Sequence, residues 1–86
     1  MLALVYSIQF GGVAQTPERL SQAKRFSKTL KRLRNASGLT QEALAEKAGI
    51  STRYVQALEQ GISLPNIYIA ASLKRALGCD WEELAK

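Results

Sequence analysis

At 86 residues the chain has the length of one domain, and 47% hydrophobic against 22% charged residues is the balance of a globular protein with a single core. A net charge of +5, from 12 Lys and Arg against 7 Asp and Glu, points to an acidic partner, nucleic acid ahead of an anionic membrane surface. With no histidine and Cys79 as its one cysteine, the chain excludes an internal disulfide and a Cys/His metal centre, lacks the commonest general base, and suits a reducing cytoplasm.

The first element in chain order is a strand. Leu2, Leu4, Tyr6, Ile8 and Phe10 alternate with Ala3, Val5, Ser7 and Gln9, which is the period of a half-buried β-strand, and Gly11-Gly12 breaks it. The stretch is too short to span a membrane and lacks the basic start of a signal peptide. No second strand follows, so residues 1–15 form an extension with three open readings: disordered, packed on the helices, or paired with the same segment of a second copy.

From residue 16 onward the pattern is helical, giving a domain over 16–86. Thr16-Pro17-Glu18 is a helix start, with a capping hydroxyl, proline at the first helical position and an acid in the first turn. Ala23, Phe26, Leu30, Leu33 and Ser37 then form the expected buried stripe, and Gly38 closes the helix. Thr40 caps a second helix ending at Gly49, with Leu44, Ala45 and Ala48 inward. Ser51 caps a third, with Val55 and Leu58 inward and Gly61 after its end. Pro65-Asn66 opens a fourth, with Ile67, Ala70, Leu73 and Leu77 inward and Gly78 beyond it. Asp80-Trp81-Glu82-Glu83 has capping-box spacing and starts a short fifth helix anchored by Trp81 and Leu84. The expected fold class is therefore all-α with five helices.

Residues 39–61, LTQEALAEKAGISTRYVQALEQG, place two short helices across a turn of three to four residues containing Gly49. That is the layout in which the second helix enters a DNA major groove. A reading helix needs one face for its own protein and one of small or hydrogen-bonding side chains. Val55 and Leu58 supply the first; Thr52, Arg53, Gln56, Ala57 and Gln60 point elsewhere. Arg pairs bidentately with guanine, Gln with adenine, and Thr or Ala touches a thymine methyl. The plain alternative is a solvated helix face.

From about Phe26 to Leu84, the segments LTQEALAEKAGIS, YVQALEQG and LPNIYIAASLKRALGCDWEEL resemble the phage-repressor and Cro helix-turn-helix domains, the XRE family. The resemblance covers about two thirds of the chain and implies a five-helix repressor-like domain that binds double-stranded DNA. Matched to the family pattern, Thr52, Arg53, Gln56 and Ala57 are the base-facing positions. Gln41 would bind a phosphate at a helix N-terminus and brace the third helix. Ser51, Gln60, Ser63 and Asn66 complete the expected phosphate set. Arg34 and Glu59 match an internal ion pair, and Arg34 lies at the edge of the Phe26–Leu30–Leu33 stripe as that role requires. Two departures stand out: the loop from Gln60 to Asn66, often basic in the family, contains no Lys or Arg, and the first 25 residues lie outside the family domain.

The positive charge is concentrated. Arg19, Lys24, Arg25, Lys28, Lys31, Arg32 and Arg34 share the first helix with Glu18 alone, while residues 35–86 carry five basic and six acidic side chains. In the family fold this helix lies behind the reading helix, so its expected role is to steer encounter, with phosphate contact only at the end near the DNA. Tyr68 and Ile69, expected to face outward, and Trp81 are the candidate dimer interface, with the N-terminal strand as a further contact.

These features predict a sequence-specific, dimeric, cytoplasmic DNA-binding regulator, a repressor or autoregulator with no catalysis, cofactor or metal. The alternative is an antitoxin-like module that binds its operator and engages a protein partner through the N-terminal segment. An enzyme is disfavoured, because there is no histidine, only one cysteine and no glycine-rich phosphate loop.

Overall fold

The computed structural model describes residues 16–86; the expected strand and its proposed roles in pairing and partner binding lie outside them. Five helices follow in order: α1 Pro17–Ala36, α2 Gln41–Ala48, α3 Thr52–Glu59, α4 Ile67–Leu77 and α5 Trp81–Leu84. The fold is all-α.

Each helix starts on a side chain that can cap it. Thr16, Thr40, Ser51, Asn66 and Asp80 all take extended backbone angles and accept a hydrogen bond from the N–H three residues on. Each cap satisfies a donor that the helix itself leaves free, and contributes about 1 kcal/mol. At Asp80 the box is complete, because the Glu83 carboxylate accepts in return from the Asp80 N–H at 3.2 Å. The helix ends are equally local. At Gly49 (φ +72°) the chain turns left-handed, and the next N–H, that of Ile50, closes onto the Ala45 carbonyl at 3.0 Å. A side chain at Gly49 would be strained by that backbone angle, so the three-residue turn between α2 and α3 depends on it.

α3 packs between α1 and α2; α2 also packs on α4, and α5 returns to α1. Leu30, Leu44, Leu58, Leu73 and Val55 are fully buried where these helices meet, joined by Ala45 and Ala48. Each large side chain contributes about 1.5–3 kcal/mol relative to exposure. α3 is thus gripped from two sides and presents its remaining flank outward.

Three expected packing positions are corrected. Ser37 is exposed and belongs to the C-cap of α1, where its hydroxyl donates to the Leu33 carbonyl at 2.9 Å. Ile67, expected inward, is 64% exposed. Ile69, expected outward as a dimer contact, packs against the core cluster with Ala76 and Leu77. The buried stripe of α4 therefore runs through 69, 73, 76 and 77, about one residue round the helix from the expected one. α4 is apolar at 67, 69, 70, 71, 73, 76 and 77, so its own pattern allows either register and contact with α2 decides.

Candidate nucleic-acid interface

The outward flank of α3 holds the residues predicted to read bases. Arg53 and Gln56 are exposed; Thr52 and Ala57 are half-buried, and Gln60 follows, exposed, at the C-cap. Val55 and Leu58 fill the opposite side. Tyr54 packs against the core, and burial pushes its phenol above the ordinary range. One face of α3 is thus anchored while Arg53 and Gln56 stand free in solvent.

A polar hub fixes where that face points. Glu59, at the end of α3, is buried, and its carboxylate is held by three donors. Arg34 Nε lies 2.6 Å from Oε2 and Arg34 Nη2 3.0 Å from Oε1, a two-point pairing, while Gln41 Nε2 donates to Oε1 at 3.0 Å. Arg34 Nη1 donates further to the Leu39 carbonyl at 2.9 Å, in the turn between α1 and α2. One guanidinium and one carboxylate therefore tie together α1, the α1–α2 turn, the start of α2 and the end of α3. The hydrogen bond to Glu59, and then its negative charge, raise the Arg34 pKa against the opposing effect of burial. A raised basic pKa contributes stability below its unfolded value and loses it only as pH rises through the folded one. For Arg34 that window lies far above neutrality, so the pair is not a physiological pH switch.

The other expected phosphate contacts fall at helix starts. Gln41 is the first residue of α2, with its amide turned to Glu59. Ser51 Oγ accepts from the Tyr54 N–H at 3.0 Å and keeps its own proton to donate. Asn66 Oδ1 accepts from the Ile69 N–H at 2.8 Å, leaving its amide NH2 free of that bond. Ser63 is half-buried in the loop. Tyr68 is 80% exposed, away from this flank on α4. Trp81 is 45% exposed and has Lys74 Nζ 5.8 Å from its ring centroid, a cation–π contact that joins α4 to α5 and was not foreseen.

Burial, then the Glu83 carboxylate, raise the Cys79 pKa, which keeps it a thiol, and no group of three potential metal ligands occurs among the described residues. No helix among them is long and apolar enough to cross a membrane.

Comparison with known proteins gives the same architecture. The helix-turn-helix family model matches residues 30–84. An HTH-type transcriptional regulator of Methanothermobacter thermautotrophicus is 44% identical over 45 residues, which is 52% of this chain and 65% of that protein. The HTH-type transcriptional regulator y4dJ of Sinorhizobium fredii is 40% identical over 53 residues, 62% of this chain and 69% of the relative. Among solved structures, the restriction-modification controller protein C.AhdI from Aeromonas hydrophila superposes with a TM-score of 0.72 at 33% identity, covering 74% of this chain and 97% of that one. The chain therefore belongs to the XRE-type helix-turn-helix family, a non-enzymatic class of DNA-binding regulators.

Proposed function

We propose that the chain reads duplex DNA sequence-specifically as a homodimer and acts as a transcriptional repressor or an autoregulator of its own operon. The observation that carries this reading is the pose of α3. Its Glu59 end is fixed by Arg34 and Gln41, and its Arg53–Gln56 flank has no hydrogen-bond or ion-pair partner among the described residues. A helix held rigidly from behind loses little on entering a groove, and Arg and Gln are the side chains that pair two-pronged with purine edges. Ser51, the start of α2 and Asn66 border that flank with donors suited to phosphate. The relatives' names as transcriptional regulators and a restriction-modification controller fit the same role.

For the second subunit, the favoured contact is the α4–α5 side. There Tyr68 and Trp81 are exposed, and Trp81 borders an apolar recess of about 210 Å³ with Phe26, Leu64 and Leu84. Selection of bound sequences from a random duplex library at physiological salt tests the reading. Enrichment of an inverted repeat with half-sites about 10 bp apart is expected. Recovery of unrelated sequences, with binding that collapses steeply as salt rises, would overturn it.

A further inference from the structure

We propose that the edge of α1 beside α3 is a phosphate-binding surface, on which Lys24, flanked by Lys28 and Lys31, supplies the cations missing from the loop after α3. The inference rests on the DNA-binding reading above and assigns it a contact centred on Lys24, upstream of the matched family region, which begins at residue 30.

The loop from Gln60 to Asn66 leaves the end of α3 and carries no charged side chain. It does carry Gly61, buried at φ +75°, pressed onto α1. A Cβ at Gly61 would lie 3.3 Å from Lys24 Cγ and 3.4 Å from Lys24 Cα. The Lys24 stem thus runs directly against the loop two residues after Glu59, and its exposed ammonium leaves the surface there. Buried Ser27, whose hydroxyl donates to the Lys24 carbonyl at 2.7 Å, secures this turn of α1. A bulkier residue at 61 would separate loop and lysine.

Helical spacing places Lys28 and Lys31 on the same edge as Lys24, and both are exposed. Arg25 lies about 100° round the helix from Lys24 and lines a recess with Phe26, Leu64 and Leu84. None of the three lysines forms an ion pair among the described residues, and residues 1–15 contain no Asp or Glu. Three cations within two helical turns, without an acid among them, complement a polyanion. The polyanion that α3 would bring to this place is the sugar-phosphate backbone flanking its groove.

The test is the salt dependence of duplex binding, measured by fluorescence anisotropy on a selected site and on random DNA, for the parent chain, Lys24→Gln and Arg25→Gln. For Lys24→Gln, the slope of log affinity against log salt should fall by about one, with the same fold-loss on both duplexes and no loss of melting temperature. Between 50 and 200 mM salt, the variant would then lose roughly 3-fold less affinity than the parent. Arg25→Gln should leave the slope close to the parent value. A Lys24→Gln slope equal to the parent's, or equal reductions from both variants, would overturn the assignment and leave α1 with a long-range field only. Failure of the parent to bind either duplex would instead bring down the DNA-binding reading, and this inference with it.

Discussion

Arg32 and Arg34 lie two residues apart on α1 and meet opposite fates. Arg34 turns inward, its side chain 14% exposed, and holds a buried carboxylate by two prongs. Arg32 turns outward, exposed and without an acidic partner among the described residues, as do Lys24, Lys28 and Lys31. The same helix is therefore a structural strut on one side and an unneutralised cationic surface on the other. Charge count alone does not separate the two roles; the position of each residue around the helix does.

The largest expected effect comes from breaking the paired side. Arg34→Ala leaves Glu59 buried with only the Gln41 amide, which is expected to cost about 3 kcal/mol, since removing one partner strands the other's charge. In a domain of this size that lowers the melting temperature by roughly 12–24 °C. Glu59→Ala should destabilise less, because Arg34 can swing into water, and should weaken DNA binding with it. Melting curves of both variants matching the parent's would show that the hub holds nothing together.

A smaller effect is expected from a cation that is free in the protein and engaged in the proposed complex. Arg53→Ala should leave melting unchanged while weakening the preferred duplex by about 1–3 kcal/mol and relaxing choice at one base pair. An equal loss on random DNA would reassign Arg53 to the phosphates. The smallest effect has the opposite sign. Lys28 sits four residues from both Lys24 and Arg32, and like charges at that spacing cost about 0.2–0.5 kcal/mol per pair. Lys28→Gln should therefore raise thermal stability slightly, and a drop would mean that Lys28 has a partner the contrast overlooks.

What could be read from the amino-acid order follows how local each interaction is. The five caps and the left-handed glycines depend on neighbours within about five residues, so Thr16, Thr40, Ser51, Asn66 and Asp80 were all legible. The Arg34–Glu59 pair spans 25 residues and was legible through family resemblance, with the stripe edge in support. Where several registers satisfy the same pattern, local reading fails. Ile67 and Ile69 exchange places because α4 is apolar nearly all round, and Ser37 fits the period of α1 but lies past its last turn. The contact of Gly61 with Lys24 left no trace in the order of residues, since it depends on how a loop returns to a helix laid down 37 positions earlier.

The Glu59 hub also limits what can be transplanted. The helix-turn-helix pair alone, residues 39–61, contains the carboxylate but not the guanidinium, which lies upstream at Arg34. Excised, that hairpin would carry an acid whose counter-charge stayed behind. A donor's recognition residues grafted into this scaffold should be accepted when the exchanged positions are 53 and 56 and refused when the exchange includes 59. On the proposed reading, evolving a new operator preference is cheap, because the letters that would spell it lie on one side of α3 and the rivet that seats it on the other.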